Sequence, residues 1–465
     1  MAKKVNPANL FDPTMETLSP AEVREYQFQK VKNLIEWVYG KTEFFRNRLK
    51  EAKVTPDDIK TWDDFRNRIP FISKKDLVKD QGKNPPFGTR LCVPRKELRG
   101  MHITSGTSGQ GQEVYGLTQN DLVYCGQGYG ASLYSMGVRK GDLVAHFFPI
   151  ATMAGGLASI EGLKAIEAHP MFLAFFDTKS KIGHMVKYNP DCLLTTPAYL
   201  SRITVLCEEM GIEPKKTFTN LRIITLSTEN FPRQWAEKMQ ETWGATIHDC
   251  YGSSQIGTNY GYTCEPGSAS EGKESFYHLA EHLALVEVLN PETNEPVQYG
   301  EEGEPVVTTF SREASPLLRF RSSDKVRLLP PEPCDCGRTS HRWEIGNISR
   351  YDDMIKMKGI NVWPAAINDV IFSYPEIDEY NGRVFIDTKG VEHIKITFEF
   401  KYSVTDENLK KHILSELPGK MRDKIGLNID FNAVPYGTIE RFEYKTRRWT
   451  DERKEGLKQV KFIEK

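Results

Sequence analysis

Between positions 20 and 52 apolar residues recur at helical spacing. Val23, Tyr26, Val31, Ile35 and Val38 fall on one face, which predicts an amphipathic helical region. From 140 to 310 the pattern changes to short apolar runs separated by polar, helix-forming stretches. Leu143–Phe148, Cys192–Thr195, Leu221–Leu226 and Val286–Leu289 are examples, and their alternation predicts α/β layers. A third pattern begins near Arg350. Ile394, Ile396, Phe398 and Phe400 alternate with Lys395, Thr397 and Glu399, as in a strand with one covered face. Leu409, Ile413, Leu414 and Leu417 then mark an amphipathic helix, so a small α+β unit is expected beyond the connector Gly346-Asn347-Ile348-Ser349. There is no internal repeat and no low-complexity tract.

At 465 residues the chain needs two or more domains. Lys plus Arg number 62 and Asp plus Glu 63, so no basic excess points to nucleic acid and no like-charge block suggests an interaction tail. Leu143 to Ile160 carries no charged residue. Pro149, Gly155 and Gly156 interrupt it, so it reads as a strand, a turn and a helix start rather than a membrane span. The polar start Met1-Ala2-Lys3-Lys4 lacks an apolar signal region, and a cytoplasmic protein without membrane attachment is expected. Of eight cysteines, Cys92, Cys125, Cys192 and Cys207 stand in apolar or mixed surroundings and read as small core residues.

Candidate chemistry starts with His102-Ile103-Thr104-Ser105-Gly106-Thr107-Ser108-Gly109-Gln110-Gly111. Glycines let backbone N–H groups converge and the hydroxyls add donors, a combination suited to phosphate oxygens. An ordinary polar loop has the same composition. The Gly-Lys-Ser/Thr ending of a Walker A loop is missing. Gly126-Gln127-Gly128-Tyr129-Gly130 lacks dinucleotide spacing and reads as close helix packing. Three further segments share the look of a site: Asp249-Cys250-Tyr251-Gly252-Ser253-Ser254-Gln255, Leu318-Arg319-Phe320-Arg321-Ser322-Ser323-Asp324, and the stretch from Ile348 to Pro364.

In this order, and together with Phe11 to Ser19, Pro70-Phe71-Ile72-Ser73-Lys74-Lys75-Asp76-Leu77 and Gly437-Thr438-Ile439-Glu440-Arg441-Phe442-Glu443-Tyr444-Lys445, the segments resemble the adenylate-forming acyl-CoA synthetases. The phenylacetate–CoA ligase branch is the nearest in kind, and the resemblance runs almost end to end. It implies a large multi-layer α/β N-terminal domain over 1–346. A small mobile α+β lid over 350–465 would rotate between two half-reactions. It also implies a chemistry. A carboxylate, here an aryl or arylacetic acid, attacks the α-phosphate of ATP to give an acyl-adenylate and pyrophosphate, and the coenzyme A thiol then displaces AMP. Both steps develop negative charge on oxygen, so aimed donors, a cation and Mg²⁺ are expected.

The same resemblance assigns roles. Thr104, Ser105, Gly106, Thr107, Ser108 and Gly109 would hold the β- and γ-phosphates, although Gln110-Gly111-Gln112 replaces a lysine that often follows the loop. Asp249 and Tyr251, with Gly252 and Ser253 of the same motif, would lie against the adenine, and Ser227, Thr228 and Glu229 would line its other side. Asp324 would accept from the ribose hydroxyls. Arg350 and Lys356 would contact the nucleotide, Asp352 would be the hinge residue, and Lys445 the catalytic lysine. Taken singly, Tyr251 suits core packing, Asp324 a turn or cap, Asp352 a solvated loop and Lys445 a charged tail. Phe147, Phe148, Ala151, Gly155, Thr196, Pro197 and Tyr251 would line a pocket for a flat acid.

Two positions depart from the family. Gln255 replaces a glutamate that helps hold Mg²⁺, and an amide oxygen brings no charge to a hard cation. Asn368 likewise replaces a glutamate. Cys334 and Cys336 form a tight thiolate pair, and members of this branch complete such a pair around zinc from the segment holding Cys264 and His278. That Cys3His set has the composition of a structural site. His282 is an alternative to His278, and a free thiol pair in a turn is the competing reading. Loading of a carrier protein, or a nucleotide-binding relative with little turnover, stays open beside the ligase. Retention of Asp324, Arg350 and Lys445 argues against the latter. A homodimer is compatible with this branch.

Overall fold

The computed structural model describes residues 10–104, 111–269, 275–332, 334–346, 348–351, 355–357, 360–387, 391–440 and 448–453. The helical stretch near the N-terminus is two helices, Pro20–Lys41 and Glu43–Glu51, rather than one. Thr42 makes the break. Its backbone is extended, its hydroxyl donates to Val38 O at 2.8 Å, and it accepts from Phe45 N to cap the second helix. Ser19 opens the first helix with a reciprocal capping box to Glu22. Val23, Val31, Ile35 and Val38 are buried, whereas Tyr26 is half-buried and donates its hydroxyl to His282 O at 3.1 Å.

Each apolar run of the middle region is a strand of one large sheet, thirteen-stranded among the described residues. One half is parallel and runs, in spatial order, Thr246–Ser253, Ile223–Leu226, Cys192–Thr195, Leu143–His146 and His169–Phe172. All four residues of Cys192–Thr195 and of Ile223–Leu226 are buried, as strands covered on both faces require. From Thr246–Ser253 the sheet continues antiparallel through Thr258–Tyr262, Phe276–Leu279 and Arg342–Glu344 to Asp324–Leu329, Glu302–Thr309 and Ala284–Leu289. The uncharged stretch at 143–160 resolves into the strand Leu143–His146 and the start of the helix Ala154–Ala165. Among the described residues no helix is long and apolar enough to cross a membrane.

The glycine cluster at 126–130 is helix packing, as its spacing suggested. A Cβ on Gly126 would lie 2.9 Å from Glu161 O, and one on Gly128 would lie 2.4 Å from Thr258 Oγ1. The helix Gln119–Ser135 can therefore press against both Ala154–Ala165 and the sheet only without side chains there.

A small C-terminal domain follows. Its four strands lie in the order Asp430–Val434, Glu392–Phe400, Ile377–Ile386, Trp449–Asp451, under the helices Pro364–Ile371 and Glu407–Ile425. Ile394, Ile396, Phe398 and Phe400 pack with Ile413, Leu417 and Met421 in a core of its own. Ser349–Arg350 still belongs to the large sheet, pairing with Asp324 and Lys325, and Tyr351 N donates to Ser323 O at 2.8 Å. The large and small α/β parts therefore meet just after Tyr351.

Candidate active site

Topology decides where ligands can converge. The strand Leu143–His146 crosses over to His169–Phe172 on one side, whereas its other neighbour, Cys192–Thr195, crosses over to Ile223–Leu226 in the opposite direction. Such a switch point opens a crevice at the carboxyl ends of parallel strands. The segments leaving those ends are Phe147-Phe148, Thr196-Pro197, Ser227-Thr228-Glu229 and the end of Thr246–Ser253, which carries Tyr251. Of the expected pocket lining, Phe147, Phe148, Thr196 and Pro197 are buried, Gly155 and Tyr251 are half-buried, and Ala151 is exposed. The Phe147 ring packs edge-on against Tyr199, 5.9 Å between centroids. Thr228 takes φ 78°, a left-handed backbone that a β-branched residue seldom adopts and that costs about 1–3 kcal/mol. Ser323, next to Asp324, is held at φ 61°.

Tyr251 and Asp324 meet directly. The Tyr251 hydroxyl donates to Asp324 Oδ2, and its ring stands edge-on to Tyr260 and Trp343 at 5.1 and 5.3 Å. Burial, then the charge of Asp324, holds this phenol well above its ordinary pKa, so it remains a donor. Arg350 pairs with Asp324 across the strand, Nε 3.9 Å from Oδ1. Gly252 passes close to its neighbour strand, since a Cβ would lie 2.5 Å from Thr258 O. Asp249 is turned inward. Its side chain is buried and accepts from the Tyr277 hydroxyl, and burial pushes its pKa up to about 7. The packing and the polar role expected of Tyr251 thus coexist, while the Asp249 carboxylate is committed to the interior.

The hairpin Gly100–Ile103 with Val114–Leu117 frames the Ser/Thr/Gly run. Thr104 is buried, with N donating to Glu113 O at 3.0 Å and Oγ1 donating to Glu113 Oε2 at 2.6 Å. Ser253 Oγ accepts from Ile256 N at 3.3 Å, and Ser254 Oγ accepts from Ala154 N at 3.2 Å. Gln255 Nε2 donates to Glu113 Oε1 at 3.1 Å. Thr104 and Gln255 are thereby joined through Glu113, and oxygen donors of this kind fit a hard cation. Ser105, Gly106, Thr107, Ser108, Gly109, Asp352 and Lys445 lie outside the described residues. Of Lys356 only the backbone is described, in the strand Ile355–Met357. Asn368 accepts from the Tyr380 hydroxyl inside the small domain.

Three groups escaped sequence reasoning. Glu113 and Lys74 form an ion pair at 3.3 Å beside the run, with side-chain exposures of 0% and 15%. Arg448 binds Glu379 at 2.6 and 3.0 Å, and both line a cleft shared with Glu229, Phe231 and Trp235 of the large domain. The burial of a lone carboxylate after a polar loop has no local signature. The Arg448 partnership depends on a residue far back in the chain.

Away from the crevice, Cys264, His278, Cys334 and Cys336 gather with ligand atoms all within 4.8 Å of one another. Cys264 Sγ is 3.9 Å from Cys334 Sγ, and Cys336 Sγ is 3.4 Å from His278 Nε2. The strand Phe276–Leu279 carries His278, and the turn Cys334–Arg338 is closed by Gly337 N donating to Cys334 O at 2.9 Å. His282 is not in this group.

The AMP-binding enzyme family matches residues 46–309, and the AMP-binding enzyme C-terminal domain matches residues 359–453. A phenylacetate-coenzyme A ligase of Thermus thermophilus is 29% identical over 463 residues, spanning 96% of this chain and 100% of the relative. Another, from Escherichia coli K12, is 28% identical over 449 residues, spanning 95% and 97%. Among solved structures, a 2-hydroxyisobutyryl-CoA ligase in the postadenylation state with 2-HIB-AMP superposes at a TM-score of 0.87 and 22% identity, over 96% of this chain and 93% of the other. The same ligase in the thioesterification state, with 2-HIB-AMP and CoA, gives 0.70 at 22% identity, over 95% and 92%. A crevice at a switch point, a hydroxyl-rich hairpin loop and a C-terminal domain with its own core all accord with these matches: the chain belongs to the AMP-binding enzyme family.

Proposed function

We propose that the protein ligates an aryl or arylacetic acid to coenzyme A through an acyl-adenylate, consuming ATP and releasing AMP and pyrophosphate. Two clusters carry this reading, Thr104 and Gln255 on Glu113 and Tyr251 and Arg350 on Asp324, linked by the short segment from Tyr251 to Gln255, together with four full-length phenylacetate-coenzyme A ligase relatives. In it, Asp324 accepts from the ribose hydroxyls, with Tyr251 and Arg350 fixing its carboxylate. The Tyr251 ring and the backbone of Ser227, Thr228 and Glu229 flank the adenine, and Asp249 supports that wall from behind. Both donors of Thr104 are taken by Glu113, so of the run from Thr104 to Gly109 the residues after Thr104 donate to the β- and γ-phosphates. Arg350 and Lys356 contact the nucleotide, and Lys445 neutralises the acid and the α-phosphate.

Gln255 and Thr104 would hold Mg²⁺, which when bound offsets the charge of the triphosphate. We place the large domain at 1–351 rather than 1–346, since Ser349–Arg350 pairs with its sheet, and the lid beyond it to 465, with Asp352 as the hinge on which the lid rotates between half-reactions. The better superposition on the postadenylation form supports reading the present lid orientation as the one that follows adenylation. Cys264, His278, Cys334 and Cys336 would hold a structural zinc ion. Ligand distances of about 2.3 Å to sulfur and 2.0 Å to nitrogen put tetrahedral ligand atoms about 3.8 and 3.5 Å apart, close to those found.

The test is mass spectrometry of products formed from ATP, Mg²⁺, coenzyme A and a pool of aryl and alkyl acids. AMP with one aryl or arylacetyl-CoA is the expected outcome. Acyl-adenylate with no consumption of free coenzyme A would overturn it in favour of another acceptor. Asp324→Asn is expected to raise KM for ATP about tenfold to a hundredfold, as loss of hydrogen bonds to a charged acceptor costs about 1.5–3 kcal/mol. Initial-rate kinetics at saturating acid check this.

A further inference from the structure

Glu113 has no part in the roles above, yet its carboxylate is fully buried. Oε2 accepts from the Thr104 hydroxyl at 2.6 Å and faces Lys74 Nζ at 3.3 Å. Oε1 accepts from Gln255 Nε2 at 3.1 Å and from the Tyr115 hydroxyl at 3.5 Å. Its own N–H donates to Thr104 Oγ1 at 2.9 Å. Segments near 74, 104 and 255 thus meet on one carboxylate. Structure alone does not call for this, because apolar packing of equal volume is generally no less stabilising than a buried ion pair. Lys74 also opens the helix Lys74–Lys83, an end where the helix dipole disfavours a cation. The pair therefore stands where two local preferences oppose it.

The amide of Gln255 shows what the pair achieves. Gln255 donates its NH₂ to Glu113 Oε1, which leaves its carbonyl oxygen on the other arm of the amide. That oxygen is the one atom of the side chain able to ligate a hard cation. Glu113 therefore selects the end of Gln255 that is offered. Resting on the adenylating reading above, we propose that Glu113 is a positioning residue for the divalent cation of the triphosphate, orienting Gln255 so that its carbonyl oxygen is the end left for the cation. Lys74 pairs with Glu113 from the other side.

Three forms test this: Glu113→Gln, Gln255→Glu, and both together, which exchanges amide and carboxylate. The readout is Mn²⁺ binding to protein and ATP by electron paramagnetic resonance, with melting temperature as a control for folding. Neither acid nor coenzyme A is present, so the result is independent of any acyl chemistry. Glu113→Gln is expected to weaken Mn²⁺ binding about tenfold to a hundredfold, the usual effect of losing an outer partner of a metal ligand. The exchange should recover most of that loss. Mn²⁺ affinity unchanged in Glu113→Gln, or an exchange no better than that single variant, overturns the proposal. Should Glu113→Gln fail to fold, Mn²⁺ affinity unchanged in Gln255→Ala overturns it instead.

Discussion

Lys445→Ala is expected to slow acyl-adenylate formation by about 10²–10³-fold, the usual consequence of removing one donor aimed at developing oxyanion charge. ATP binding and the transfer of a preformed acyl group to coenzyme A should change only by small factors. The reason lies in where the chain is held. Arg448, three residues on, is clamped by two hydrogen bonds to Glu379, and Gly382 N donates to Arg448 O at 2.7 Å. Trp449–Asp451 then continues as a strand beside Gly382 to Val384. Arg448 itself lines the cleft with Glu229, which follows the strand Ile223–Leu226. Pyrophosphate exchange measures the first half-reaction, and addition of synthetic acyl-adenylate with coenzyme A measures the second. Full exchange in Lys445→Ala would remove it from its role. Equal loss in both halves would point to a lid that no longer docks.

Much of the fold was legible because burial leaves a periodic trace. The strands Cys192–Thr195 and Ile223–Leu226 are buried throughout since both faces of the parallel sheet are covered, and the alternation at 394–400 reflects a strand with one face on a core. What escaped is set by contacts that periodicity does not encode. The helical region at 20–52 divides at Thr42 because a single hydroxyl caps one helix and closes the other. The four zinc-ligand candidates were readable as residue types, and the fold chose His278 over His282 through its place in the strand Phe276–Leu279, paired with Tyr262 and Arg342. Asp249 is the instructive case. Its motif resembles a ligand contact, but the Tyr277 hydroxyl takes its carboxylate into the interior. Glu113 is the converse, a residue that looks like loop polarity and proves to be a junction. In both, the deciding partner comes from elsewhere in the fold.

Cys334→Ser is expected to abolish stoichiometric zinc and to destabilise the large domain by about 4 kcal/mol or more, beyond the range of ordinary point substitutions. The four ligand candidates join the paired strands Thr258–Tyr262 and Phe276–Leu279 to the turn at Cys334–Arg338. That turn also carries Arg338, whose guanidinium pairs at 2.6 Å with Glu16, both side chains 2% exposed. Losing the cross-link would loosen the turn and with it a buried ion pair, and a buried charge deprived of its partner costs about 3–5 kcal/mol. The damage should therefore reach the helix Pro13–Glu16 and appear as early proteolysis there, ahead of global unfolding. Glu16→Gln separates the two effects. It should weaken the N-terminal contact yet leave zinc content at one per chain, as measured by plasma emission spectrometry. Purified protein that contains no zinc and takes none up would show that the thiols form only a reduced pair in a turn. The N-terminal contact would then rest on the Arg338–Glu16 pair and the hydrogen bond from the Thr339 hydroxyl to Leu18 O.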